Sequence, residues 1–440
     1  MDFLIFYEHI NREVENDTLI KYELEKRGYS CEICHFSDPK IFKYARSRNK
    51  AKVVVTPWMR YNENALKYLK YARRPYKLVN LQWEQVYSLS GIKSGLVLTH
   101  GEAKKAYHTC WGENSRARLE QGGVPKENLK IVGAIQQDYG RPLFGDYYMS
   151  KESIAEQYNL DLNKPWILFI SSFAYATYPE ESLAALAEKY GTTIYRTAQL
   201  HKDSQARMLE WIEELLKRSD LEFIYRPHPS ERLADKLVEL SDKHINFHVI
   251  SECSVKQWAK VSDVVNLWIS TSNAEIASMG IDYNIVRPIP VEEEKEVESM
   301  YGETFVDNLE DFVICNTISR STSFQRAKER LRKLEHFYNY DENRSAYERV
   351  ADYLEEVYHS LLGQKYKFSI KQKLRAHVKE QKKWIVSWFT YRSIKKPNRK
   401  IIDRLPVKPI IKANMKRAAS NYIIKNQTEE RMLKYLKSHE

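Results

Sequence analysis

Short apolar runs alternate along this chain with stretches of helical periodicity, and near residue 164 the whole pattern starts again. Phe3 to Tyr7 leads through a polar turn into LIKYELEKRGYSCEICHF, which reads as a helix closed by Gly28 and a second strand. AKVVVTP, a helix from about Asn62 to Tyr71, YKLVNLQW and SGLVLTHG continue the alternation. NLKIVGAIQQDYGRP adds a last strand, a turn at Gly133 and an exit at Gly140 to Pro142. After a connecting helix around Ser150 to Tyr158, the restart is KPWILFISSF, followed by a long polar loop. MLEWIEELLKRS, LEFIYRPHP, LADKLVELSDK and INFHVI then read as helix, strand, helix and strand. SVKQWAKVSDVVNLWISTSNAEIASMGIDYNIVRP closes the set as helix, strand, polar turn, helix and strand. Apolar strands separated by helices predict parallel sheets covered on both faces. The expected fold class is α/β, with two Rossmann-like domains facing across a cleft. The expected divisions are 1–142, 143–330, helices over 331–364 that pack back on the body (helical from about Thr322 to Leu362), and a basic helical tail over 365–440.

The formal charge of +11 suggests nucleic acid until it is resolved along the chain. Residues 365–440 hold 22 Lys and Arg against 5 Asp and Glu, which leaves residues 1–364 with 48 basic and 54 acidic residues. The body is mildly acidic and the tail is a separate electrostatic object, so no nucleic acid partner is expected. Five scattered cysteines make no disulfide framework, and the start lacks a basic segment with a long apolar core, so a reduced, cytoplasmic protein is expected. Cys31 and Cys34 form a CxxC, but in a strand their odd separation turns them to opposite faces.

Two motifs in the second half carry candidate chemistry. Tyr225-Arg226-Pro227-His228-Pro229-Ser230-Glu231 follows a predicted strand, where ligands of open α/β sheets bind, and the two prolines stiffen the loop around His228. A rigid His beside Arg226 suits a phosphate; the plain alternative is a proline-stiffened turn. In Trp268 to Gly280 an apolar strand gives way to Ser270, Thr271 and Ser272 and then a helix, an arrangement that offers N–H groups and hydroxyls to an anion. The plain alternative there is N-capping. Glu275, one turn in, is a candidate for ribose hydroxyls, or simply favours the helix dipole.

The first half offers carboxylates after strands: Glu8 in Glu8-His9-Ile10-Asn11-Arg12-Glu13, and Glu84 in Gln82-Trp83-Glu84-Gln85. Either is a candidate general base for an acceptor hydroxyl, with Glu84 first because burial beside Trp83 is expected to raise its pKa. The sequence has no Asp-x-Asp, GxxxxGK[ST], GxSxG or HExxH, and no GxGxxG after the first strand, which argues against metal-centred transferases, P-loop kinases, serine hydrolases and nicotinamide dehydrogenases. No metal and no resident cofactor is expected. The tail interleaves Trp384, Ile385, Val386, Trp388 and Phe389 with basic clusters, the composition of an interfacial segment that seeks anionic lipid.

With Tyr7, Glu8, His9, Arg12 and Glu13 in a strand-turn pattern, His228-Pro229, and Ser270-Thr271-Ser272, the chain resembles the GT-B glycosyltransferases of bacterial capsule and surface polysaccharide synthesis over roughly residues 1–330. The His-Pro and hydroxyl motifs look like those of sialyl-, Kdo- and polyol-phosphate transferases. The resemblance implies a nucleotide-sugar donor held by the second domain, with His228 and Ser270 to Ser272 at its phosphate. It also implies a lipid-linked glycan or polysaccharide acceptor on the first domain, at the inner face of the cytoplasmic membrane. Gln82-Trp83-Glu84-Gln85 departs from the paired acids followed by Gly of the sialyl type, which leaves the base open between Glu84 and Glu8. The rival readings are a sugar-nucleotide 2-epimerase of the same fold, a CDP-glycerol-type polyol-phosphate transferase, and a non-catalytic scaffold of a synthesis complex.

Overall fold

The computed structural model describes residues 1–93, 95, 97–317 and 323–439, and the chain divides into two compact units. Unit 1 comprises Met1–Gln85, Val97–Asp138 and His336–Glu440; unit 2 comprises Val86–Leu96 and Tyr139–Glu335. The expected boundary at residue 142 therefore misses a short excursion. Tyr87 belongs to unit 2 because its carbonyl accepts from the Glu298 N–H at 3.0 Å and its own N–H donates to the Glu298 carboxylate at 3.2 Å.

Unit 1 is built on β1 (Phe3–Phe6), β2 (Cys31–Cys34), β3 (Val53–Thr56), β4 (Leu78–Asn80), β5 (Tyr107–Cys110) and β6 (Leu129–Ile131), all parallel in the order β2-β1-β3-β4-β5-β6. β1 and β3 are wholly buried, as strands covered on both faces must be. The expected strand SGLVLTHG forms none over its described residues: Leu89–Lys93 before it is helical, Gly101–Lys105 is a 3₁₀ turn, and Ser94 and Leu96 lie outside the described residues. The strand is instead β5, whose polar sequence hides it. Its buried His108 Nδ1 lies 3.1 Å from the Asn80 side-chain nitrogen, and its Thr109 hydroxyl donates to the Leu81 carbonyl at 3.0 Å. These partners come from β4 and its exit, where no local pattern reveals them.

The helical stretch expected from Thr322 to Leu362 is two helices, Ser323–Tyr338 and Ala346–His359; Thr322 itself lies outside the described residues. The second packs in unit 1, with Val350, Leu354 and Val357 buried. Its first N–H groups, those of Ala346 and Tyr347, donate to the buried Asp138 carboxylate at 2.9 Å each. The tail forms Ile370–Lys395, Ile401–Arg404 and Pro409–Ser438, the C-terminal helical extension, and it belongs to unit 1. Pro409–Ser438 lies against the first helix, Ile10–Lys26. That helps explain why the first helix buries Asp17 and Lys21 besides its apolar face.

Unit 2 repeats the plan with β7 (Trp166–Ile170), β8 (Glu222–Arg226), β9 (Phe247–Val249), β10 (Val264–Leu267), β11 (Asn284–Val286) and β12 (Phe305–Val306), parallel in the order β12-β11-β10-β7-β8-β9. The stretch read as a long polar loop after β7 contains the helix Glu180–Tyr190, and the helix expected at 208–219 begins fifteen residues earlier, spanning Thr193–Arg218. Met208, Ile212 and Leu215 of that long helix meet Ile167, Phe169, Phe223 and Tyr225 in the core. Strand order reverses between β7 and β10, so the loops after these strands part to opposite sides and leave room for a ligand at their carboxyl ends.

Candidate functional site

The motif after β8 is framed by a residue that carries no role in the sequence reading. Glu231 accepts from the Ser171 hydroxyl at 2.5 Å, the Tyr225 hydroxyl at 2.6 Å, the Gln205 amide at 3.0 Å and the His228 N–H at 3.1 Å. Its own N–H donates back to the His228 carbonyl at 2.8 Å, closing the turn reciprocally, as a capping box does. His228 is thereby held at the exposed tip of a loop tied to β7, to β8 and to the helix Thr193–Arg218. The Ser230 N–H donates to His228 Nδ1 at 3.1 Å. In the neutral imidazole this places the proton on Nε2 and makes that nitrogen a donor.

Arg226 is placed differently from the role expected for it. It is buried, and its guanidinium donates to the carbonyls of Ser251, Glu252 and Cys253 at 3.1, 2.8 and 2.5 Å. Burial lowers its pKa to about 10. These bonds turn it towards the loop after β9, where Cys253 has a φ of +61°. It shapes this end of the sheet rather than presenting a charge to a phosphate.

Ser270, Thr271 and Ser272 stand where the sequence put them, at the exit of β10, but they cap little. The N-cap Thr271 makes no side-chain cap bond; Ser270 Oγ accepts from the Ser272 N–H at 3.3 Å, and the buried Asn273 side chain accepts from the Ala274 N–H at 2.9 Å. The helix Ser272–Ser278 is short, and its last turn is crowded by Gly140, where a Cβ would fall 1.8 Å from the Ser278 carbonyl. Glu275 is half-buried in its first turn.

His201 is a second imidazole beside this motif. It packs edge-on to Trp268 with ring centroids 4.8 Å apart and to Tyr175 at 5.2 Å. Burial lowers its pKa to about 4, so it is neutral at pH 7. His201 Nδ1 and Trp268 Nε1 are buried with no hydrogen-bond partner among the described residues. The signal for His201 was periodic: with Gln205, Met208 and Ile212 it lies on the buried stripe of its helix.

In unit 1, Glu13 is the hub. It is fully buried and accepts from the N–H groups of Glu8 at 2.6 Å and His9 at 3.3 Å and from Arg12 at 3.0 Å. Arg12 also donates to Glu84 at 2.8 Å. The Glu84 side chain is exposed; the desolvation left to it favours the neutral form, but the Arg12 guanidinium outweighs this and holds the pKa below the ordinary value. This reverses the rise expected from Trp83 and weakens Glu84 as a base. Glu8 is exposed, with His9 Nε2 3.9 Å from its carboxylate. Gln82, before Trp83, has a φ of +49°.

Elsewhere in unit 1 a cavity of about 550 Å³ lies between the exit of β2 and the C-terminal helix, lined by Asp38, Lys40, Tyr422, Lys425 and Glu429 among others. Burial raises Asp38 to about 6. The mixed charge of the lining selects no ligand class, and none of the candidate residues faces it. Cys31 and Cys34 are buried free thiols. Among the described residues, no group of three or more His, Cys, Asp and Glu is arranged to hold a metal, and no helix is long and apolar enough to cross a membrane.

No protein-family model matches the chain, and a search of curated proteins finds no relative. Solved structures do match. The UDP-GlcNAc 2-epimerase from Neisseria meningitidis bound to UDP-GlcNAc aligns with a TM-score of 0.52 at 13% identity, over 81% of this chain and 100% of that one. The wall teichoic acid polymerase TagF, soaked with CDPG, aligns with a TM-score of 0.52 at 11% identity, over 81% and 88%. At these identities the likeness is one of fold: two Rossmann-like units of the GT-B type with a C-terminal helical extension.

Proposed function

We propose that this protein is a metal-independent transferase that moves a sugar from a nucleotide-activated donor to a lipid-linked or growing surface polysaccharide, working at the inner face of the cytoplasmic membrane. The observation that carries the proposal is the framed His228 at the carboxyl end of β8, whose Nδ1 accepts from the Ser230 N–H, so that in the neutral ring Nε2 is the donor. A fixed N–H donor at that place stabilises the charge that develops on a departing phosphate without reorganising during the reaction. Ser270, Thr271 and Ser272 supply hydroxyls to the same phosphate, and Glu275 is assigned to the ribose. Arg226 acts as a positioning residue. Unit 1 serves the acceptor, and Glu8 replaces Glu84 as the first choice for the group that takes the hydroxyl proton, because Arg12 stabilises Glu84 in its ionised form.

Transfer of a polyol phosphate and 2-epimerisation of a sugar nucleotide are the competing chemistries, and the fold neighbours include enzymes of both kinds. Binding of CMP, CDP, UDP, GDP and dTDP to wild type and to His228→Ala, with and without EDTA, tests the site. The expected result is one preferred nucleotide, unaffected by EDTA and bound at least about tenfold more weakly by the variant. No binding by any of the five removes the assignment and leaves the scaffold reading. With the nucleotide known, product analysis separates a transferred sugar from a transferred polyol phosphate or a free epimer.

A further inference from the structure

We infer that one face of the helix Ile370–Lys395 is a lipid-docking surface, lying along an anionic membrane with unit 1 attached behind it. This deepens the membrane-bound acceptor of the proposed function and rests on that reading for its purpose, while standing on residues remote in sequence from the nucleotide motifs.

The helix has two unlike sides. One is held by unit 1: Trp384 packs with the apolar residues around Phe6 and Tyr71 and donates its indole N–H to the Tyr71 hydroxyl at 3.2 Å, and Ser387 and Thr390 are buried. On the other side Ile370 (85% exposed), Leu374 (63%), Val378 (49%), Ile385 (58%) and Trp388 (38%) face outwards. At about 100° per residue their spacings of four, four, seven and three bring all five within one narrow stripe. Single exposed apolar side chains are ordinary, but a stripe running most of the length of a helix marks a contact surface.

The charge around the stripe decides what covers it. Within the 26 residues of the helix Glu380 is the only acid, against eight Lys and Arg. Lys371, Arg375 and Lys382 border the stripe along one side, and the Arg392 guanidinium lies 4.8 Å over the Trp388 ring at its end. A protein partner would need an apolar strip bordered by acids in matching register. An anionic leaflet offers an apolar interior under a continuous negative surface and needs no register.

The last helix of the tail is held differently. Pro409–Ser438 buries Met415, Tyr422, Met432 and Leu436. It is tied to the first helix where Lys21 donates to Glu429 at 2.6 Å and Lys425 pairs with Glu429 at 2.6 Å. The basic tail is thus divided between a clamp and a docking face, and the docking face is fixed to unit 1 along its length rather than hung on a flexible tether.

The test is co-sedimentation of the full chain with vesicles of phosphatidylglycerol and phosphatidylcholine, and of phosphatidylcholine alone, at fixed salt. The expected preference for the anionic vesicles is at least about tenfold and falls as salt rises. The double variant Leu374→Gln, Ile385→Gln is expected to lose at least about tenfold of that binding, while melting and binding nucleotide as wild type does. Lys371→Glu with Lys382→Glu gives the same loss from the charged rim. His228→Ala sediments as wild type, so failure of the nucleotide site and failure of the docking face are read separately. The inference is overturned if the stripe variant binds anionic vesicles as wild type does, or if wild type ignores them. It is also overturned if wild type is a dimer in vesicle-free solution that the stripe variant converts to monomer, which would give the stripe to a second copy.

Discussion

The two units share a six-stranded parallel plan and finish it differently. Each gathers the loops at its strand ends around one glutamate, and each has a non-glycine residue at positive φ among those loops, Gln82 in unit 1 and Cys253 in unit 2. Glu231 of unit 2 accepts from two hydroxyls, an amide and a main-chain N–H, while the imidazole it orients stands at the surface. Glu13 of unit 1 is fully buried and shares Arg12 with Glu84, so charges in that loop neutralise one another. Unit 1 also carries the two long tail helices. The contrast teaches that a repeated fold does not repeat its chemistry: what distinguishes the units is which donors surround the hub.

The largest expected effect tests where the chemistry lies. His228→Ala should lower turnover by about 10²- to 10³-fold, the range for loss of one preorganised hydrogen-bond donor, whereas Glu84→Gln should cost less than about tenfold. Equal losses measured under single-turnover conditions would break the contrast, since they would make Glu84 a working base despite Arg12.

The second effect concerns the clamp that only unit 1 carries. Glu429→Ala leaves Lys21 and Lys425 buried beside each other and should cost about 3 kcal/mol in denaturant unfolding at pH 7. Burial opposes ionisation of Glu429, but the two lysines outweigh it and depress its pKa. Its contribution is therefore present above the ordinary carboxylate value of 4.5 and is lost as pH falls through the depressed folded value. The gap between wild type and variant should close towards pH 3, and a gap that persists there would mean the clamp is held by packing alone.

A smaller effect sharpens the role of the hub in unit 2. Glu231→Gln replaces one acceptor oxygen by a donor and should cost about 2 kcal/mol while weakening nucleotide binding. Loss of stability with unchanged binding would separate the frame from the site. The smallest effect returns to unit 1. Asp17 is fully buried, with neither carboxyl oxygen hydrogen-bonded among the described residues, and burial raises its pKa well above the ordinary range. Keeping it protonated in the fold costs more as pH rises from the unfolded pKa to the raised folded one. Asp17→Asn should therefore stabilise by about 1 kcal/mol at pH 8 and by nothing at pH 4, a difference visible in paired thermal melts.

Much of the plan was legible because it is written in local periodicity. The apolar runs at Phe3 to Phe6, Val53 to Thr56 and Trp166 to Ile170 are strands, and the restart after residue 164 is a second sheet. The HPSE and STS motifs stand at strand ends as expected. β5 escaped because Tyr107–Cys110 carries buried polar residues satisfied by β4 and its exit, while the more apolar SGLVLTHG drew the assignment. Arg226 and Glu84 were misjudged for a related reason: the type of a charged residue is visible in sequence, but its partner is not.

By itself, the sequence determined the α/β class, the doubling of the sheet, the sites of the two motifs and the separation of an acidic body from a basic tail. All of these depend on spacing and composition within a few tens of residues. Only the tertiary structure decided that Glu231 frames His228, that Arg226 serves main-chain carbonyls, that His201 lies against Trp268, and that half of the tail is a clamp while one face of the other half stays uncovered. Those outcomes depend on which distant groups meet in a low-dielectric interior, where one hydrogen-bond or ion-pair partner sets both the charge state and the direction of a side chain.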